Sequence, residues 1–189
     1  MLRPGGVLVR TACSLISSGT ERQKVNLAQQ SLLGKARERP DQVMKVLSSF
    51  KQEGFLNTLK KVRNHLDQPM PLGYSCAGEV MEVADGVDEF QVGDHVACGG
   101  EGYANHAEIN YVPKNLCVKA PDGVSFEFSA YATVGAIALQ AVRQAGLTVG
   151  ERAAVIGMGL VGNLIAQLLK TAGCSVVGVD VDDFRIRMA

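Results

Sequence analysis

The sequence has no Cys-x-x-Cys pair, no uninterrupted apolar run near the ~18 residues of a membrane span, and no surplus of either charge. Each absence removes a class of function. Without a close pair, the five cysteines (Cys13, Cys76, Cys98, Cys117 and Cys174) have the spacing of neither a structural zinc site nor a redox motif. Their odd number and wide separation along the chain read as reduced thiols of a cytosolic protein. The opening residues Met-Leu-Arg-Pro-Gly-Gly lack the apolar stretch of a signal peptide, so a cytoplasmic protein without a membrane partner is expected. Lys+Arg and Asp+Glu number 19 each, and the balance makes no case for a nucleic-acid partner. The zero hides one uneven segment, for Glu21 to Leu66 holds ten Lys/Arg against four Asp/Glu. Its basic residues read either as a solvated face or as an arm that attracts a phosphorylated substrate.

What is present is ordinary globular material: 47% apolar and 20% charged residues over 189 positions, enough for one domain and part of another. Gly6 to Ala12 reads as a strand entered from a Pro-Gly-Gly turn, so early that an upstream strand is expected. From Glu21 to Leu66 the apolar residues fall at helical spacing (Val25, Leu27, Leu32, Leu33; Val43, Met44, Val46, Leu47; Phe55, Leu56, Leu59), with Pro40-Asp41 a helix start. Short apolar runs then follow at Cys76 to Val83, Asp94 to Cys98, His106 to Val112 and Leu116 to Lys119. Turns at Asp85-Gly86, Val92-Gly93-Asp94 and Pro121-Asp122-Gly123 separate them, the pattern of a partly open β-barrel. Residues from about Phe126 to Ala145 revert to helix.

The chemistry is concentrated further on. Ala153-Ala154-Val155-Ile156 is a buried-type strand running directly into Gly157-Met158-Gly159-Leu160-Val161-Gly162, a G-x-G-x-x-G sequence. Val161, Leu164, Ile165, Leu168 and Leu169 then share a helical face, Gly173 ends the helix, and Cys174 to Val179 supplies a second strand. That strand leads to Asp180, 23 residues beyond Gly157. In such a unit the first glycine permits the tight turn, the second lets a pyrophosphate approach the backbone, and the third allows helix to pack on strand. The helix start offers N–H groups to phosphate, and Asp180 is placed to accept from the adenosine ribose. A carboxylate there, with Asp182 and Asp183 nearby, favours NAD; Arg185 and Arg187 keep NADP open.

A barrel followed by this fingerprint resembles the medium-chain dehydrogenase/reductase superfamily, in which a GroES-like catalytic domain precedes a Rossmann domain. The more specific pieces are Pro71-Leu72-Gly73-Tyr74-Ser75-Cys76-Ala77-Gly78-Glu79-Val80, Val92-Gly93-Asp94-His95-Val96, Pro121 to Glu127 and Gly157 to Gly162. The resemblance implies an α/β chain with a GroES-like, partly open β-barrel over residues 1–125, a helical insert at about 21–66, and over 126–189 a linking helix and the first βαβ of an NAD(P)-binding Rossmann sheet. Such a doubly wound sheet has about six strands, so a truncated one is expected here. An isolated chain of this kind is expected to bind cofactor weakly or not at all, and to associate through its strand edges.

Many members hold a catalytic zinc on a cysteine after the early strand, a histidine in a Gly-His-Glu element and a later cysteine. Ser14, Tyr74 and Ala132 occupy those positions here, and His95 to Tyr111 holds only Cys98 where a structural zinc lobe would have four cysteines. No zinc is therefore expected. The hydroxyls of Tyr74, Ser14 and Thr20 become candidates for polarising a carbonyl or relaying a proton, with His106 an alternative and each also readable as a barrel residue. The insert after Ser18-Gly19-Thr20-Glu21 resembles a zinc-less subgroup fused to a Gfo/Idh/MocA-type unit and associated with sugar metabolism. The expected function is zinc-independent hydride transfer between nicotinamide and an alcohol or carbonyl carbon of a small-molecule substrate, with a homo-oligomer left open. A zinc-less quinone or enoyl reductase using NADPH, or a non-catalytic nucleotide-binding scaffold, are the alternatives.

Overall fold

The computed structural model describes residues 2–29 and 71–189. The chain divides into two compact units, Met1–Ile16 with Leu72–Ala189, and Ser17–Pro71. In the second unit, α1 (Ser18–Gln29) carries the start of the expected insert; the helices read around Leu32, Val43 and Phe55 lie outside the described residues. Among the described residues no helix is long and apolar enough to cross a membrane.

The first unit begins with a five-stranded antiparallel sheet. Its strands are β1 (Gly6–Ser14), β2 (Ser75–Val83), β3 (His95–Gly99), β4 (Ile109–Pro113) and β5 (Cys117–Lys119), in the order β4-β1-β2-β3-β5. Alternation drives the pairing. Val7 and Val9 of β1, Val80 of β2, Val96 of β3 and Val112 of β4 all point to one interior and are wholly buried, while Arg10 and Glu79 point away. Register shifts between Leu8 and Val9 and between Thr11 and Cys13 bend β1, which lets the sheet curl into the half-barrel of a GroES-like domain. Burial of these side chains, roughly 1.5–3 kcal/mol each, is the main force holding the sheet closed.

Two sequence expectations need correction here. The helix read across Phe126 to Ala145 is two helices, α2 (Phe126–Ser129) and α3 (Ala132–Ala145), broken where the Ser75 hydroxyl of β2 donates to the Ala130 carbonyl at 2.6 Å. The strand read from His106 begins only at Ile109. The Asn110 amide donates to the Asn105 carbonyl at 3.0 Å and the Ala107 carbonyl at 3.5 Å, folding those residues into a loop.

The βαβ unit follows as β6 (Arg152–Ile156), α4 (Leu160–Thr171) and β7 (Ser175–Val179), closed by a short α5 (Asp183–Met188). β6 and β7 pair in parallel from Arg152↔Ser175 to Ile156↔Val179. A second core gathers Val155, Met158, Leu169 and Cys174, with Ile165 of α4 and Val142 of α3 packed against it. This core covers one face of the two strands. On the other, Ile156, Val177 and Val179 are exposed.

Candidate functional site

The turn between β6 and α4 shows why glycine is needed. Gly157 has φ +94°, a left-handed conformation, and its N–H donates to the Val179 carbonyl at 2.7 Å, extending the sheet past its last strand pair. Gly162 lies in the first turn of α4, where any Cβ would overlap the Gly157 carbonyl. Gly159 differs from both: its φ is −73°, and a Cβ there would meet nothing within 4 Å. The backbone at Gly159 therefore lies open, directly before a helix whose start carries no side-chain cap. Met158 is buried in the core with Val155, Leu169 and Cys174, while Leu160 and Val161 are half-buried at the start of α4.

Asp180 closes this turn from the end of β7. Its carboxylate accepts the Met158 N–H at 2.7 Å and the Asp182 N–H at 2.9 Å, with Arg185 Nη1 3.6 Å away. The side chain is only 3% exposed. The N–H of Asp182, then that of Met158, holds its carboxyl below the usual aspartate range, with a smaller attraction from Arg185. A carboxylate has about four acceptor positions, so two backbone bonds leave capacity for a ribose hydroxyl. The open backbone, uncapped helix start and acidic strand end together fit the diphosphate and ribose of a dinucleotide.

A second group of residues converges where β1 ends and β2 begins. Leu15 donates to the Ser75 carbonyl at 2.9 Å, and Ser75 in turn reaches Ala130, so Ser14, Tyr74 and the start of α3 at Ala132 lie around one point. Ser14 Oγ is 2.9 Å from His106 Nδ1, a hydroxyl–imidazole pair joining residues 92 positions apart. The loop holding His106 is fixed by its N–H donating to the Leu72 carbonyl at 2.8 Å. Gly73, at φ +93°, makes that approach possible, because a Cβ there would lie 2.7 Å from the His106 nitrogen. Tyr74 is half-buried, and its carbonyl accepts the Gly100 N–H at 2.9 Å. Thr20 belongs to the other unit, where the Ser17 hydroxyl donates to its Oγ1 at 3.3 Å. Among the described residues no group of three or more His, Cys, Asp or Glu is gathered to hold a metal.

Sequence reasoning offered His106 as an alternative proton carrier while also reading it as a residue of a strand edge. Its pairing with Ser14 depends on how the loop before β4 folds, which no local spacing reveals. Ser75 was missed altogether: it is 1% exposed and ties β2 to the α2–α3 junction. A serine inside an apolar run beginning Ser75-Cys76-Ala77 was the available signal, since a buried hydroxyl needs a partner.

Residues 50–136 match the family described as the alcohol dehydrogenase GroES-like domain. With the half-barrel and the βαβ unit behind it, this makes the chain similar in sequence and fold to the medium-chain dehydrogenases and reductases. Among its relatives, (R,R)-butanediol dehydrogenase of Bacillus subtilis is 32% identical over 133 residues, covering 57% of this chain and 38% of that protein. D-guloside 3-dehydrogenase of Escherichia coli is 36% identical over 110 residues, covering 58% and 31%. The chain thus aligns with well under half the length of these relatives. A quinone oxidoreductase structure from Pseudomonas syringae superposes with a TM-score of 0.69 at 24% identity, covering 98% of this chain and 47% of that one, a likeness of fold.

Proposed function

We propose that the protein is an oxidoreductase that moves a hydride between a nicotinamide dinucleotide, NAD by preference, and an alcohol or carbonyl carbon of a small molecule, without zinc. The observation that carries this reading is the turn at Gly157–Gly162 with Asp180: a close-packed helix, an open backbone at Gly159 and a carboxylate at the strand end. In this assignment residues 1–125 bind substrate and 126–189 hold the adenosine half of the cofactor. Gly159, with the N–H groups of Leu160, Val161 and Gly162, faces the diphosphate, and Asp180 takes the ribose. The bound cofactor supplies or accepts the hydride.

Ser14, Tyr74 and Ala132 supply neither thiolate nor imidazole at the positions that hold zinc in other members of the superfamily, so proton movement falls to the chain's own hydroxyl and imidazole groups. In this reading Ser14 and His106, 2.9 Å apart, pass a proton between a substrate oxygen and solvent, with the Tyr74 hydroxyl a further candidate. The similarity to D-guloside 3-dehydrogenase favours a sugar derivative as substrate. NADPH-dependent reduction of a quinone or enone is a second reading, favoured by Arg185 beside Asp180, where a guanidinium would meet a 2′-phosphate.

Fluorescence titration of the full-length gene product with NADH and NADPH tests the proposal. Binding of NADH in preference to NADPH by the full-length product, with the preference lost in Asp180→Ala, supports it. Absence of binding to either dinucleotide would leave the turn purely structural and sink the reading; a preference for NADPH would shift it to the quinone or enone reductase.

A further inference from the structure

The cysteines that look scattered in the sequence are not scattered in the sheet. Cys76 of β2 pairs with Cys98 of β3, and Cys98 pairs with Cys117 of β5, so three of the five thiols form a row across adjacent strands. The two steps of this row differ. Along β3–β5 the Ala120 N–H donates to the His95 carbonyl at 2.9 Å, which makes His95 and Ala120 a hydrogen-bonded pair. Counting along the ladder, Ala97 and Val118 are then hydrogen-bonded, and Cys98 and Cys117 fall at a non-hydrogen-bonded position, where facing side chains stand closest. Along β2–β3 the Gly100 N–H donates to the Tyr74 carbonyl at 2.9 Å, and the same count puts Cys76 and Cys98 at the wider, hydrogen-bonded position. Cys98 Sγ and Cys117 Sγ lie 3.8 Å apart. Exposure differs too, for Cys76 is wholly buried, Cys98 is 2% exposed, and Cys117, on a three-residue edge strand, is partly exposed.

We propose that Cys98 and Cys117 are a modification site for hydroperoxides, closing to a reversible disulfide that fastens the edge strand β5 to β3. The partly exposed Cys117 meets the oxidant first. Its sulfur attacks hydrogen peroxide, an S–O bond forms as the O–O bond breaks, and one water leaves, giving a sulfenic acid. The Cys98 sulfur then attacks the Cys117 sulfur, the S–S bond forms as the S–O bond breaks, and the Cys98 proton departs with the hydroxide as a second water. The two thiols together lose two electrons, and the peroxide gains them. Side-chain rotation must bring the sulfurs from 3.8 Å to the ~2.05 Å of a disulfide, and the narrow strand pair already suits the short Cβ separation such a bond needs. Cys117 and Cys76 on either side, together with burial, push the Cys98 thiol up. Closure is therefore slow at neutral pH and quickens in alkali, as suits a lock rather than a turnover thiol.

The test is to treat the protein with hydrogen peroxide, trap residual thiols with N-ethylmaleimide, and map the products by mass spectrometry without reduction. The expected result is a single new crosslinked peptide pair joining Cys98 to Cys117, a fall from five titratable thiols to three, and full recovery with dithiothreitol. Cys76→Ser should keep the crosslink, whereas Cys117→Ser should abolish it. A bridge that instead involves Cys76 or Cys13, a Cys117 oxidised to the sulfinic acid with Cys98 still free, or five thiols surviving the treatment would each overturn the proposal. All three are read on the unsubstituted protein, so poor folding of a variant does not obscure them.

Discussion

Gly159 and Gly162 are two positions of one fingerprint, and the structure assigns them opposite sensitivities. At Gly162 a methyl group would overlap the Gly157 carbonyl, which is held by its own residue's bond to Val179 and cannot move without loosening β6 from β7. Gly162→Ala must therefore push α4 outward from its core of Val155, Met158 and Leu169. Overpacking of this kind costs about 1–3 kcal/mol. In a chain of 189 residues this lowers the melting temperature by about 2–12 °C. At Gly159 the φ of −73° suits alanine and a methyl group would touch nothing, so Gly159→Ala should leave stability within about 0.5 kcal/mol of the parent. The same methyl stands where a diphosphate would approach, and dinucleotide affinity in the full-length product should fall at least about tenfold, equivalent to ~1.4 kcal/mol. Calorimetry reads the first effect and fluorescence titration the second. If Gly159→Ala destabilised the fold as much as Gly162→Ala, or if Gly162→Ala melted like the parent, the division of roles would be refuted.

Further expectations concern the groups that support the two sites. Asp180 has a folded-state pKa below its unfolded value, so its stabilising contribution is present above about pH 3.9 and is lost as pH falls through the folded-state value. Hydrogen exchange of the Met158 and Asp182 amides should thus show protection that is constant from pH 7 to 5 and collapses in more acid solution; protection unchanged throughout would contradict the bonding described. Ser75→Ala removes a 2.6 Å hydrogen bond in a buried setting and should cost about 1–3 kcal/mol, seen as a lower urea midpoint with unchanged m-value. Ser14→Ala, in an exposed pair, should barely change stability, whereas on the proposed function it should slow turnover by the full-length product about 100-fold or more if the Ser14–His106 pair relays the proton.

The parts of the fold that were legible in the sequence are those with local causes. Val7 and Val9 announce β1 by alternation, and the glycines of residues 157–162 announce the β6–α4 turn because Gly157 and Gly162 each answer a local steric demand. The Ser14–His106 pair, the break at Ala130 and the Cys98–Cys117 contact each depend on strand order or register, which sequence spacing does not carry. Asp180 lies between these cases. Its position after the second strand was readable, but its use as an acceptor for the Met158 and Asp182 N–H groups appears only once both ends of the βαβ unit are in place.

The two hydrophobic cores differ in the kind of side chain they enclose. Among the described residues of the barrel no fully buried side chain is larger than valine, a residue with a single side-chain torsion and one strongly favoured setting. Packing such residues forfeits little rotational freedom, and few alternative arrangements exist into which they could relax. The βαβ unit instead rests on Met158, Leu169 and Ile165, which have more torsions and more ways to repack. Where the molecule must accommodate a ligand, the second half can do so by redistributing rotamers. The barrel can respond only by moving whole strands, which makes it a stiff mount for the Ser14–His106 pair at its rim.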